Sequence, residues 1–135
     1  LAEMLERDNR EALRLVEHID TENNASLMYE VADVKTWANL GLYLAEKLKG
    51  AIALHTYRLS GGEENRAEAI HHLQEALDYW DEVIRITRPI YRDMPLTHYN
   101  HNAFEANDDN LFHWALIRDE VARDVEIARN SEILK

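Results

Sequence analysis

The 135-residue chain has no cysteine, only two prolines and only four glycines. The absence of cysteine excludes a disulfide framework, a thiolate zinc site and a cysteine nucleophile. The scarcity of proline and glycine predicts long helices joined by few turns. No stretch approaches the ~20 apolar residues that a membrane-spanning helix requires. The first residues also lack the basic and apolar segments of a signal peptide. We therefore expect no membrane span.

Positive charge is also scarce, since 15 Lys and Arg stand against 26 Asp and Glu, for a net charge of −11. This balance argues against a nucleic-acid partner, because few cations are available to neutralise phosphates. The 46% of hydrophobic residues exclude a disordered acidic tail and are sufficient for a packed core. The length suits one domain. Since the first residue is Leu1 within a helical pattern, we expect residues 1–135 to be a single α-helical domain from a longer chain.

Apolar residues at three-to-four spacing predict the first two helices. The first runs from Leu1 to Ile19, and the second, which is the longest, from Asp33 to Leu59 with Ser26 or Asp33 as its cap. Gly61 ends the second helix. Its predicted buried stripe consists of Val34, Trp37 or Ala38, Gly41, Leu44 or Ala45, Leu48, Ala51 or Ile52, His55 and Leu59.

The third and fourth helices have clear boundaries in the sequence. Asn65 and Glu68 resemble a capping box at the start of the third helix, and Pro89 stops it. The fourth helix is predicted from near Asn110 to Asn130. We expect three tryptophans, Trp37, Trp80 and Trp114, to pack in the core. The fold class is therefore all-α, an up-down bundle of about four helices.

Residues 88–110 lose the helical period and form one long irregular loop between the third and fourth helices. Loops of this length in compact domains are often functional. The loop is rich in asparagine, histidine and aromatic residues, which together can offer flat apolar faces and polar edges to a sugar. The same aromatic side chains can instead pin the loop to the bundle, which is the reading that we favour. The candidate substrate-binding residues are Tyr91, His98, Tyr99, Asn100, His101 and Phe104.

Three patterns bear on metals and catalysis, and each has a simpler structural explanation. Glu68 and His71 form a single E-x-x-H, whereas di-iron bundles need two copies. His98 and His101 lie three residues apart in the loop, but their spacing matches no standard zinc pattern. His55 falls on the apolar stripe of the second helix, where a core histidine is the simpler interpretation. We predict no cofactor, no metal ligand and no catalytic residue.

The segment DVKTWANLGLYLAEK, from Asp33 to Lys47, is followed by AxxxLxxALxxW, from Ala69 to Trp80. The whole resembles the helical C-terminal region of large bacterial carbohydrate-active proteins, including α-glucuronidase-like glycoside hydrolases. The resemblance covers most of the chain from Asp33 onward and consists of packing motifs. It implies that the catalytic carboxylates belong to a barrel domain outside this chain, and that the helical domain makes dimer contacts.

The resemblance leads to the hypothesis of a non-catalytic helical accessory domain in a polysaccharide-processing protein. Its expected partners are the remainder of the parent chain or a second copy, with carbohydrate as a further ligand. The resemblance also implies a periplasmic or extracellular location. The alternative is an independent module that binds a glycan or a metal through the loop at residues 88–110. An enzyme in its own right, with a metal held in the bundle, is a third hypothesis.

Overall fold

A computed structural model describes residues 1–100 and 103–134, with the side chains of residues 1–95 and 111–134. Four α-helices account for most of the described chain, which confirms the all-α prediction. They are α1 (Ala2–Val16), α2 (Ala25–Ser60), α3 (Glu63–Thr87) and α4 (Arg118–Arg129). The other elements are β1 (Met94–Asn100), β2 (Ala103–Phe112) and a 3₁₀ helix (Trp114–Ile117). In the described part, no helix is long and apolar enough to cross a bilayer.

Successive helices pack against one another in antiparallel order. Leu1 and Ile52 line one groove between α1 and α2, whereas Leu13 and Lys35 line another at the opposite end of α1. Along α2 and α3, the backbone of Gly50 lies against Leu73, and the Tyr43 ring lies 4.9 Å from that of Trp80. At the start of α4, Arg118 donates a hydrogen bond to the Asp81 carboxylate of α3. At the end of α4, the Arg129 carbonyl accepts a hydrogen bond from Arg66, near the start of α3. The helix order is therefore up-down.

Helix α2 begins about two turns before Asp33, the start that the stripe suggested. Its cap is Asn24, whose side-chain oxygen accepts a hydrogen bond from the Leu27 amide at 3.0 Å. Helix α3 begins at Glu63, so Asn65 lies within it. The predicted capping role of Asn65 is wrong, because its amide donates back to the Gly61 carbonyl at 3.0 Å. Gly61 adopts φ 76°, which glycine tolerates, and it ends α2 as predicted.

The segment between α3 and α4 has no α-helix in its described part, as the missing helical period indicated. The all-α prediction and the predicted irregular loop included no strand, but β1 and β2 pair antiparallel, with Met94 opposite Phe112 and an irregularity after Pro95. This pairing also moves the start of α4 from Asn110 to Arg118. The intervening 3₁₀ helix is capped by His113, whose Nδ1 accepts a hydrogen bond from the Ala115 amide at 3.0 Å.

Two groups of buried side chains form the core, and α3 contributes to both. One group packs α2, α3 and α4 together and consists of Ala53, Leu54, Tyr57, Ala69, Leu73, Val125 and Ala128. The other packs α3 on α4 and consists of Leu77, Trp80 and Val121. Leu40 and Tyr43 of α2 and the 3₁₀ residues Trp114 and Ile117 pack against this second group. Trp80 is thus confirmed in the core as predicted, together with Leu73 and Leu77 of the same helix.

Candidate interaction surface

Of the six predicted sugar-binding residues, only the side chain of Tyr91 lies in the described part of the chain. It is half-buried, and its hydroxyl donates a hydrogen bond to the Asp33 carboxylate of α2. The acceptor charge raises the pKa of Tyr91 to about 12, because ionising the phenol would place two anions together. Its ring lies 6.3 Å from that of Trp114. The side chains of His98, Tyr99, Asn100, His101 and Phe104 lie outside the described residues.

The histidines considered in the sequence occupy different surroundings. His55, predicted on the buried stripe, is exposed, and His71 of the E-x-x-H pattern is exposed as well. Glu68 instead lies 3.8 Å from the Nε2 atom of His72, one residue further along α3. His113 is 1% exposed at the start of the 3₁₀ helix. Within the described side chains, no three His, Asp or Glu residues lie close enough to hold a metal ion.

The three tryptophans also differ in their surroundings. Trp80 is buried, and its indole nitrogen donates a hydrogen bond to the Trp114 carbonyl at 3.0 Å. Trp114 is half-buried between Phe112, at 5.4 Å between ring centres, and Tyr91. Trp37 is 69% exposed, so its predicted place in the core is wrong. A large aromatic ring therefore lies on the surface of α2.

Helix α2 has one face covered by its neighbours. The covered face carries the buried residues, and α1 and α3 pack on it from two sides. The Asn9 side chain of α1 lies directly on Gly41, where a Cβ would come 2.2 Å from the side-chain amide nitrogen of Asn9. The buried residues of α2 are Val31, Thr36, Ala38, Asn39, Leu42, Ala45, Glu46, Gly50, Ala53, Leu54 and Tyr57.

The opposite face of α2 is apolar but exposed, and it contains most of the stripe that the sequence predicted as core. We call it the outer face, and its large side chains are Val34, Trp37, Leu44, Ile52 and Leu59. Ala51 and His55 are exposed between them, and Leu48 is half-buried. The predicted burial of Val34, of the pair Ala51 or Ile52, and of Leu59 is wrong, whereas the pairs Trp37 or Ala38 and Leu44 or Ala45 each have one buried member. The alternatives Ala38 and Ala45 are the buried members of their pairs.

The exposed apolar surface continues from the outer face of α2 onto the side of α1 that points away from α3. Leu13 of α1 lines a groove of about 440 Å³ with Glu82 and Ile86 of α3, so it points toward α3. Leu15 lies about 200° around the same helix, at 100° per residue, and is exposed. At the start of α1, Leu1 shares a groove with Ile52 of α2. The exposed apolar surface therefore spans parts of two helices.

Charged side chains mark the two ends of the outer face. Glu30 and Asp33 lie at the amino end, and His55 and Arg58 lie at the carboxyl end. Arg58 donates a hydrogen bond to the Ser131 hydroxyl at 2.8 Å, and Asp33 accepts one from Tyr91. Neither bond involves an opposite charge. Among the side chains that the structure describes, none forms an ion pair with these four residues. The face thus has two carboxylates at its amino end, and one guanidinium beside an imidazole at its carboxyl end.

A polar network on the covered face fixes α2 between α1 and α3. The buried Glu46 carboxylate accepts a hydrogen bond from Lys49 at 2.7 Å and lies 2.6 Å from His72 Nδ1. Lys49 also donates to Glu6 of α1 at 2.7 Å. This bond lowers the pKa of Glu6, and the two carboxylates raise the pKa of Lys49. The network holds three helices in register, so it orients the outer face.

Sequence reasoning missed this network, although its local spacing is visible. Glu46 and Lys49 are three residues apart, and Glu68 and His72 are four apart, both of which place side chains on one helical side. What joins Glu46 to His72 is the packing of α2 on α3, which no local pattern contains. In comparisons with known proteins, no family model, curated protein or solved structure matches the chain.

Proposed function

We propose that this chain is a non-catalytic helical accessory domain that packs, through the outer face of α2, on a catalytic domain or a partner subunit. The single observation that supports this function is the row of exposed apolar side chains along a helix that is otherwise well packed. Scattered exposed apolar residues are normal in proteins, but a contiguous apolar surface marks an interaction site. A helix that is apolar all around is typical of one that is covered on all sides.

The sequence of α2 fits this proposal in its spacing. Val34, Trp37, Leu44 and Ala51, which are all exposed, follow one another at intervals of three or seven residues. Such spacing keeps a stripe in contact with a partner helix over several turns. The charge of −11 keeps the rest of the chain well solvated while this stripe remains apolar. The stripe therefore has the spacing of a helix-packing surface, although no helix that the structure describes covers its exposed side chains.

The link to polysaccharide processing rests on the resemblance of residues 33–80 to glycoside hydrolase C-terminal regions. Under this proposal the catalytic acids lie in another domain, and this chain supports or positions that domain. Carbohydrate would meet the chain only where the loop at residues 88–110 approaches the glycan site of the partner domain.

Site-specific photo-crosslinking in the full gene product tests the docking function. A benzophenone amino acid replaces Leu44 on the outer face in one variant and Asp78, an exposed residue of α3, in a matched control. We expect Leu44 to crosslink to apolar residues of another domain or subunit, mapped by mass spectrometry, and Asp78 to give at most a trace. Equal crosslinking from both positions would contradict the proposal.

Glycan binding separates this function from the alternative of an independent module. We expect the chain by itself to show no affinity for xylan or cello-oligosaccharides in calorimetric titrations. Glycan binding that Tyr99→Ala or His101→Ala abolishes would instead support a binding module in the loop. The two outcomes exclude each other, because the accessory function places no glycan site within the chain.

A further inference from the structure

We infer that a groove between α1, α2 and α3 binds a small phosphate monoester whose organic part is apolar. We call it the cationic groove, and its cations are Arg10, Arg14, Lys35 and Arg85. Its volume of about 440 Å³ lies within the usual range of small-molecule sites, roughly 300–1,000 Å³. The inference goes beyond the proposed docking function, because none of the large outer-face side chains lines this groove.

The charge of the cationic groove differs from that of the whole chain. The chain has 15 Lys and Arg against 26 Asp and Glu, but four cations and only two carboxylates line the groove. One of these carboxylates, Glu82, already accepts hydrogen bonds from Arg85. The other, Glu17, is exposed beside His18. An anion would therefore meet positive charge here, although the chain as a whole is acidic.

Two arginines of the groove are oriented by neighbouring carboxylates and keep further donors. Arg14 donates to Glu11 through Nε and Nη2, and Arg85 donates to Glu82 through the same two nitrogens. In both, the Nη1 group donates to no other residue that the structure describes. Each carboxylate offsets part of the positive charge, but it also fixes the guanidinium. A fixed guanidinium loses little side-chain freedom when its remaining donors bind an anion.

Lys35 supplies positive charge that no carboxylate neutralises by contact. It is half-buried, and none of the described side chains forms an ion pair with it. The pKa of Glu82 is lowered chiefly by the hydrogen bond from Arg85, and the charge of Lys35 adds to this effect. The charge of Lys35 therefore acts within the groove. A half-buried ammonium attracts an anion more strongly than a fully exposed one does.

The other side chains of the groove suit a ligand with a polar head and an apolar body. Asn39 is 4% exposed, and its amide donates to the Lys35 carbonyl at 2.8 Å, which uses one of its two N–H donors. Leu13 and Ile86 line the same groove and are half-buried. An apolar group of the ligand would cover these two side chains and remove their surface from water. This favours an organic phosphate over the inorganic ion.

A phosphate monoester matches the cations of the groove better than a carboxylate does. It carries between one and two negative charges at neutral pH and has three terminal oxygens. A carboxylate carries one charge and has two oxygens. Arg14, Lys35 and Arg85 belong to three different helices, so their donors approach an anion from three sides. Each of the three terminal oxygens would then accept a hydrogen bond from a different helix.

Isothermal titration calorimetry with naphthyl phosphate tests the inference. We expect a dissociation constant of about 0.1 mM, which is typical of a ligand of this size. Inorganic phosphate and uncharged naphthol should each bind at least about 10-fold more weakly, because each lacks one half of the ligand. Naphthoate should also bind more weakly than naphthyl phosphate. Equal affinities for these two would overturn the choice of phosphate, and no binding of naphthyl phosphate would overturn the inference.

Variants that change charge inside and outside the groove separate a site from general attraction. Lys35→Gln should weaken the binding of naphthyl phosphate by about 10-fold or more, because a charged donor is lost. The matched control is Arg123→Gln on an exposed position of α4 outside the groove, which should change the affinity by less than about 2-fold. Glu17→Gln should instead strengthen binding by about 2-fold or more, since it removes a like charge. Equal weakening by Lys35→Gln and Arg123→Gln would overturn the inference.

Two further measurements control for folding and for the position of the ligand. Lys35→Gln should melt like the wild type in circular dichroism, and Arg14→Gln, at an exposed position, should weaken binding by a similar factor if Lys35→Gln loses helix. In two-dimensional NMR spectra, naphthyl phosphate should shift the side-chain amide signal of Asn39 and the backbone signals of Leu13 and Ile86. Shifts confined to residues outside the cationic groove would overturn the inference.

Discussion

The two faces of α2 carry similar amounts of apolar side chain, but only one of them is covered. Leu42, on the covered face, is 2% exposed, and Leu44, two residues later on the outer face, is 44% exposed. Nothing in the identity of the two leucines separates them. Their difference arises from the helices that pack beside them, since α1 and α3 both pack on the covered face of α2. An apolar stripe is therefore typical of a packing surface, but it does not show which element packs on it.

The largest effect is expected from a charge introduced where α3 packs on the covered face of α2. Leu73 of α3 packs on Gly50 and on the buried residues of α2. Leu73→Asp should unfold the domain, because an unpaired buried charge costs a large part of a stability of roughly 5–15 kcal/mol. Thermal melting followed by circular dichroism measures this. A variant that melts like the wild type would show that α3 is wrongly placed.

A direct comparison of the faces uses the same substitution on each. Leu42→Ala should lower the free energy of unfolding by about 2–5 kcal/mol, because it removes buried methyl groups and leaves a cavity. Leu44→Ala should change it by less than about 1 kcal/mol. Urea unfolding of both variants measures the difference. Equal losses of unfolding free energy from the two variants would contradict the assignment of Leu42 to a covered face and Leu44 to an exposed one.

The polar network on the covered face gives a finer test. Glu46→Gln should lower the free energy of unfolding by about 1–3 kcal/mol, because the half-buried Lys49 and His72 lose a charged hydrogen-bond acceptor. Glu68→Gln, at an exposed carboxylate 3.8 Å from the same histidine, should stay within about 0.5 kcal/mol of wild type. Chemical denaturation of both variants measures the difference. A larger loss of unfolding free energy from Glu68→Gln than from Glu46→Gln would contradict the central place of Glu46 in the network.

The smallest expected effect is at the end of the outer face, where Tyr91 donates to Asp33. The folded state raises the pKa of Tyr91 from about 10 to about 12, so it holds the phenol proton more tightly than the unfolded chain does. The resulting stability is present below about pH 10 and is lost as the pH rises toward about 12. Tyr91→Phe should reduce this alkaline loss. Identical alkaline unfolding curves would exclude the contribution of the hydrogen bond.

Local patterns in the sequence predicted the fold class because helix formation depends on local spacing and turn residues. Gly61 and the loss of helical period from Arg88 onward mark real ends of helices, and Trp80 of α3 is buried as predicted. The pairing of β1 with β2 was not predicted, since it depends on contacts between residues separated in sequence. For the same reason the sequence did not show that Glu46 and His72 would meet.

The sequence by itself determined that the chain is acidic, free of cysteine and built of long helices, and that α2 is apolar enough to be packed. Which side of α2 its neighbours cover was decided by the tertiary structure alone. Helical periodicity assigns residues to a face but does not determine which face turns inward when both are apolar. The buried alanines and Gly50 let the neighbouring helices approach α2 closely, whereas bulkier residues, including Trp37, remain exposed.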